Sequence, residues 1–558
     1  MKKLNNKNKK FSISEVENIL KNQKIIFALW NGASKKDSHH QNFYLPLKKL
    51  FGEAILFDPR KVRFAHGSEK MNKLFLSLVE KEKPDYIFLI VGRDELTIET
   101  MDEIKKIYPK TKIIALVGDD DTQFETLKRY QELFVDCSFI SQLNYEKNYR
   151  KDGMKNTFPT TSINTDIFYS MNAKKIYDVT FIGQPSKPRV EIVRFLVKNN
   201  VNLKIFGRGW ENYLEFKNFY LGALETEDMV KVINQTKINL AFSKNSCGVP
   251  HFKGRFFEFS ACKSFSLSDY FKEYVKFLKE GEEMVMFKDE KDLLRKIRYY
   301  LKNEKEREKI SENAYKKTIN NHNILITYKK MFKKIMENEG TFSSKLPKVD
   351  KKIITLKKED IHKSPEDIKD LIRRFDYVSF SDGKSLPLKY KNYLQSYSLE
   401  KTKKDVSCCD YYVYDKIFGN YLLINTYRSF LNFSKEKFDQ LVSINQLAVT
   451  KDYFLKNVNL FREFFGGRKI DIVDDKNVCF VSIPLVKNKK LNKMDYDIFS
   501  YAFQKIFIVK IYSLLKQKKL FTSLYFYKLI YSLAKNSLLR NSFIEFIKKK
   551  RNWNQSRI

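Results

Sequence analysis

Runs of consecutive apolar residues alternate with helical stripes through the first part of the chain. KIIFALW (24–30) reads as a buried strand, AILFD (54–58) as a second and PDYIFLIVG (84–92) as a third. KIIALVGDDD (112–121) is a fourth, ending in acids, and FVDCSFISQ (134–142) a fifth. Between them, EKMNKLFLSLVEKE (69–82) and ETMDEIKKIYP (99–109) place apolar residues at helical spacing. Continuous apolar strands separated by amphipathic helices predict a parallel sheet with helices on both faces.

The pattern restarts after TSINTDIF (161–168). YDVTFIG (177–183), VNLKIFG (201–207), KINLAFS (237–243) and SFSLSD (264–269) read as strands. Helices are predicted from Pro188 to Asn199, over TEDMVKVINQT (226–236) and from Lys253 to Cys262, and a long charged helical stretch from Asp289 closes the unit. Two α/β units of similar size predict a cleft between domains, with ligands beyond the carboxyl ends of the strands. The expected division is 1–168 and 169–340, a linker at 341–352, a third α/β unit over 353–500 and a helical tail over 501–558. In the third unit, strands are expected at IITL, DYVSFSD (376–382), VSCCDYYVYD (406–415) and VCFVSIPLV (478–486), with a helix opened by Ser364-Pro365-Glu366.

Composition bounds the chemistry. The 558 residues are 43% hydrophobic and 15% aromatic, enough for several cores and inconsistent with disorder. Lys and Arg number 105 against 67 Asp and Glu, a formal charge of +38. That charge favours anionic partners; spread along the whole chain and dominated by Lys, it also fits a general compositional bias. The six cysteines form no CxxC pair, so neither a zinc site nor a disulfide framework is expected, and a reducing cytoplasm fits best. No apolar stretch follows the basic start, so no secretory signal is expected, and no run is long enough to span a membrane.

Four segments of the second unit carry candidate chemistry. Gly183 ends a strand, and Arg189 follows at the start of a helix, a place that favours a phosphate. Gly207 and Trp210 (FGRGW) form another glycine turn at a strand end, and Ser243 ends a third strand. Arg255 and Glu258 share one face of the helix beginning near the cleft. A carboxylate there is suited to accept both hydroxyls of a ribose; an ordinary i,i+3 ion pair is the alternative.

Taken together, FIGQPSKPR, FGRGW, KINLAFS, GRFFEFSACKSFSLSDY and KEGEEMVMFKDEKDLLRKIRYYL resemble the CgeB-type (spore maturation protein B-like) glycosyltransferases, relatives of the large GT-B family. The resemblance covers about residues 24–338. It implies an α/β GT-B fold, two Rossmann-like domains facing a cleft, and transfer from a nucleotide-sugar donor without a bound metal. It also implies roles: Glu258 on the ribose, with Arg255 before it, Gly183 and Arg189 facing the donor phosphates, Gly207 and Trp210 beside the base, and Glu282 in the GEE run. Two departures stand out. Lys263 occupies a position where the family has Gly, and NSCGVPHFKG lacks the acid of the retaining families.

A general base is expected in the first unit, and His39 and His40 are the candidates. Asp119-Asp120-Asp121 is read as a cleft-lining or capping cluster rather than a metal site. The third unit resembles the middle of a family-2 GT-A glycosyltransferase that retains Asp382 but has Gly383 beside it, which implies a degenerate, non-catalytic module. The tail, with 13 Lys and Arg and one Glu, fits either contact with an anionic membrane face or packing on the third unit. The expected partners are a nucleotide-sugar and a glycan or other surface-polymer acceptor. A sugar-binding scaffold and a nucleic-acid-binding protein are the rivals, the latter without a recognisable nucleic-acid motif.

Overall fold

The computed structural model describes residues 10–29, 40–90, 95–154, 156–244, 248, 250–338, 346–383, 385–415, 420–424, 446–465 and 477–488. The basic tail, with the membrane contact expected of it, lies outside the described residues, as does His39.

The first sheet holds β1 (Lys24–Leu29), β2 (Glu53–Phe57), β3 (Tyr86–Ile90), β4 (Lys112–Val117), β5 (Cys137–Ile140) and β6 (Thr157–Pro159), in the order β2-β1-β3-β4-β5-β6. All its pairings are parallel. Successive residues of β1 enter opposite cores: Ile26 and Ala28 on one face, Ile25, Phe27 and Leu29 on the other. Burial on both faces is why the strand reads as an unbroken apolar run. A helix not anticipated from the apolar pattern, Ile13–Leu20, is opened by a capping box in which Ser12 and Glu15 exchange hydrogen bonds with each other's backbone.

The second sheet holds β7 (Tyr177–Ile182), β8 (Leu203–Phe206), β9 (Thr236–Ala241), β10 (Ser266–Asp269) and β11 (Val285–Phe287). Its order is β11-β10-β9-β7-β8, again all parallel. The two successive Rossmann-like units expected from the strand pattern are therefore present. Their boundary needs one correction. The helix Ile324–Glu337 falls within the second unit of the division expected from the sequence, yet its stripe of Ile324, Tyr328, Met331, Phe332 and Ile335 completes the core of the first. Phe332 meets Phe51 and Tyr86 edge-on, and Tyr328 meets Phe88. The chain thus crosses between the domains twice. The crossings run side by side, with Ile163 N donating to the His322 carbonyl at 2.8 Å and Ile324 N to the Ile163 carbonyl at 2.9 Å.

The third unit is a mixed sheet of β12 (Ile353–Leu356), β13 (Tyr377–Phe380), β14 (Leu386–Pro387), β15 (Val406–Asp415), β16 (Asn420–Ile424), β17 (Leu447–Thr450) and β18 (Val478–Asn488). The helix after Ser364 forms as expected, Ser364 Oγ accepting from Asp367 N with Pro365 in the first turn. This unit is not tethered loosely. Leu394 and Tyr397, on the helix Lys391–Thr402, share a core with the first domain, as do Cys409, Val481 and Val486. The Tyr397 hydroxyl donates to the Asp152 carbonyl at 2.9 Å. Among the described residues no helix is long and apolar enough to cross a membrane.

Candidate functional site

The carboxyl edges of the two parallel sheets face each other. Gln142, just past β5, reaches the loop between β9 and the helix Arg255–Ala261. Its amide receives a hydrogen bond from Phe252 N at 3.0 Å and donates to the Phe252 carbonyl at 3.1 Å, as a strand partner would. Both residues are buried, so this junction fixes one wall of the crevice.

On the second domain the glycine bends converge. Gly207 has φ +133°, and a Cβ there would stand 2.3 Å from the Gly183 carbonyl oxygen, so no side chain fits. Trp210 is buried, and its indole Nε1 donates to the same carbonyl at 2.7 Å. Trp210 therefore shapes the Gly183 turn from below; its ring packs on Phe181 and Phe216.

Three cations gather over that floor. Arg189, in the first turn of the helix Lys187–Lys198, donates to the Gln184 carbonyl at 2.9 Å and lies over the Phe181 ring. Burial, then the positive charge of Arg255, lowers its pKa. Lys253 is lowered by burial and then by Arg189, while Asp121 and Asp119 oppose the shift. Arg255 opens its helix and pairs with Glu258, whose side chain is 20% exposed. Like charges from two separate segments, Arg189 on one and Lys253 with Arg255 on the other, repel one another, and an anion seated among them relieves that repulsion. The i,i+3 ion pair is real, and it stands at the cleft.

Across the crevice, Asp119 takes a left-handed conformation (φ 58°) two residues beyond the end of β4. Asp120 turns inward: burial pushes it up to about 7, against the Tyr149 hydroxyl, which donates to it at 2.6 Å. Asp121 lies 2.8 Å from Nδ1 of His251, a residue of the second domain. Nε2 of His251 lies 2.9 Å from the Gln142 amide nitrogen, which is a donor. Nε2 must then accept, and the ring proton sits on Nδ1 facing Asp121. Burial, then Lys253, lowers the His251 pKa, with Asp121 and Asp119 opposing. Asp119, Asp121 and His251 also offer ligand atoms within 4.8 Å of one another and could hold a metal ion. A cation would have to displace the Nδ1 proton or the Gln142 bond.

Of the remaining expected residues, Ser243 stays at the site, its carbonyl accepting from His251 N at 3.1 Å. Ser243 is buried, and its backbone N donates to Asp269, which burial pushes up. His40 opens a helical turn in which the Gln41 carbonyl accepts from Asn164 at 2.8 Å, and its ring lies 5.1 Å from that of Tyr44. Glu282 is corrected. It lies in the turn before β11, at the amino end of that strand, where its carbonyl accepts from Asn313 of the helix Glu304–Asn321. The parallel register puts this on the far edge of the sheet from Arg189 and Glu258. Lys263 has φ +52°, the backbone shape that favours the glycine of the resembling family; Lys adopts it and pairs with Glu312 at 2.5 Å.

Sequence reasoning missed Gln142, His251, Lys253 and Asp269. Each acquires its partner only when two segments far apart in the chain meet.

A family model described as glycosyl transferase-like matches residues 189–332, the segment that supplies Arg189, Lys253, Arg255 and Glu258. Similar solved structures include the Anabaena HepE protein in complex with UDP-glucose, with 9% identity, a TM-score of 0.42 and coverage of 57% of this chain and 100% of that one. A glycosyltransferase from Rickettsia africae has 13% identity, a TM-score of 0.42 and coverage of 57% and 99%. Sucrose-phosphate synthase from Thermosynechococcus elongatus has 10% identity, a TM-score of 0.41 and coverage of 56% and 99%. No curated protein matches the chain.

Proposed function

We propose that the chain is a nucleotide-sugar-dependent glycosyltransferase of the CgeB type, acting on a glycan or other surface-polymer acceptor at the cytoplasmic side of the membrane. The observation that carries the reading is the convergence of Arg189 with Lys253 and Arg255, from two segments distant in the chain, beside the Gly183 turn at the carboxyl edge of the second sheet. In this reading the cations and the start of the Lys187–Lys198 helix stabilise the charge that develops on a departing nucleoside diphosphate. Glu258, held by Arg255, accepts from the ribose hydroxyls. Asp119 and Asp121 face the donor from the first domain, with His251 of the second domain held against Asp121, and the acceptor enters on the first domain's side. Activity proceeds without a metal, so chelation leaves the rate unchanged.

The test is a thermal-shift screen of the full chain against UDP-, GDP-, dTDP- and CMP-sugars, since a ligand of the folded state raises the melting temperature. One donor class should stabilise the wild type, and Glu258→Ala should lower its affinity at least about tenfold by calorimetry. Stabilisation by none of the four, or undiminished affinity in the variant, rejects the proposal.

A further inference from the structure

The third unit has a cavity of its own, of about 170 Å³, beyond the carboxyl ends of β12 and β13. Thr355, Ser381, Ser385, Lys389, Lys391 and Asn392 supply its polar lining. Those two strands run parallel, so the cavity sits where the backbone of a parallel pair ends and ligands are commonly received.

Lys391 is the unusual member. It is 3% exposed, and its ammonium donates to Ser379 Oγ at 2.7 Å and to the Phe380 carbonyl at 3.2 Å. An ammonium carries three protons, and these two acceptors are neutral. Among the described residues no carboxylate forms an ion pair with Lys391; the buried Cys409 thiol and, after it, Asp382 act on it only through longer-range electrostatics. A buried cation without a counter-ion is costly, and burial accordingly lowers its pKa to about 8. The other lysine is already engaged: Lys389 pairs with Asp102 of the first domain at 2.7 Å. The helix Lys391–Thr402 begins at the cavity, and no side chain caps its amino end. A buried ammonium, a helix amino end and the Thr355, Ser381 and Ser385 hydroxyls thus share one small space.

We infer that this cavity is a second ligand site, separate from the interdomain crevice, and that it receives a phosphate group paired with Lys391. Phosphate suits the lining because its several oxygens can accept from the ammonium, the Thr355 and Ser381 hydroxyls and the helix amino end together, while the Ser385 hydroxyl donates to Asp382. The phosphate could be carried by a nucleotide or by a sugar phosphate, and the experiment separates these sources. The module read from its sequence as degenerate would then retain binding without the acidic pair that a metal requires.

The experiment is calorimetry on the full chain with inorganic phosphate, glucose 1-phosphate and UDP as probes. Lys391→Gln should weaken phosphate binding at least about tenfold while Glu258→Ala leaves it unchanged. Because Lys391→Gln disturbs a buried position, Asn392→Asp provides the second variant. A carboxylate in the first turn favours the helix, so the fold is kept, but it repels an anion at the cavity mouth. Both variants should keep the wild-type circular dichroism spectrum, and Asn392→Asp should also lose phosphate affinity. Affinity in the wild type should fall as pH rises beyond about 8, since only the ammonium form pairs with the anion. A stronger response to glucose 1-phosphate assigns a sugar phosphate; a stronger response to UDP that survives Glu258→Ala assigns a nucleotide. Absence of binding by all three probes, or equal binding by Asn392→Asp and wild type, overturns the inference. Failure of the crevice proposal leaves these outcomes untouched, because Glu258 is the control.

Discussion

His251 and Asp121 meet across the domain joint, imidazole Nδ1 2.8 Å from a carboxylate oxygen, although 130 positions separate them in the chain. The contact orients the imidazole at the crevice and couples the first domain's acids to the second domain's cations through Lys253.

Gln142 holds that joint, and its loss should be felt in both stability and binding. Gln142→Ala leaves the buried Phe252 N–H and carbonyl without partners, which costs about 1–3 kcal/mol per orphaned group. Urea unfolding should show that loss, and donor KM should rise more than kcat falls. A variant with wild-type stability would mean that the loop is held by other contacts.

Gly207 tolerates no side chain. Gly207→Ala combines a strained φ with a Cβ 2.3 Å from the Gly183 carbonyl, and should destabilise by at least about 1–3 kcal/mol. Gly254→Ala is the control: its Cβ would meet nothing within 4 Å. Equal melting temperatures for the two variants would contradict the close approach of the two turns.

His322 makes the second domain acid-sensitive. Its ring packs 4.7 Å from Phe257, on the helix that carries Glu258. Burial, then Lys330 and Lys317, lowers its pKa to about 4 from an unfolded value of 6.5. Between these values the unfolded chain binds the proton more readily. The stability contribution is therefore complete above pH 6.5 and is lost as pH falls toward 4. At pH 5 the loss is about 2 kcal/mol. Chemical denaturation at pH 7 and pH 5 should show it, and His322→Gln should show a smaller pH dependence. An identical pH dependence in both proteins would assign the acid sensitivity elsewhere.

Phe332 belongs to the first domain's core despite its place in the chain. Phe332→Ala should cost about 3–5 kcal/mol, and a chain ending before Ile324 should not fold its first domain. Hydrogen exchange in β1 and β3 should rise sharply in Phe332→Ala. Protection retained in these strands would return the helix to the second domain.

Alternating apolar strands and amphipathic helices determined most of the architecture by themselves, because a strand buried on both faces must be apolar throughout. The glycine turns at Gly183 and Gly207 and the Arg255–Glu258 helix were legible for a similar reason. Their shapes depend on local backbone freedom and i,i+3 spacing, both written in consecutive residues. Only the tertiary structure decided that Ile324–Glu337 returns to the first core, that Glu282 lies at the far edge of its sheet from Arg189, and that Trp210 lies under the Gly183 turn. It alone brought His251 to Asp121, Gln142 to Phe252 and Lys391 to a cavity without a carboxylate. Such pairings depend on how whole sheets are oriented and stacked, and a charge or an amide carries no mark along the chain of the distant group that will face it.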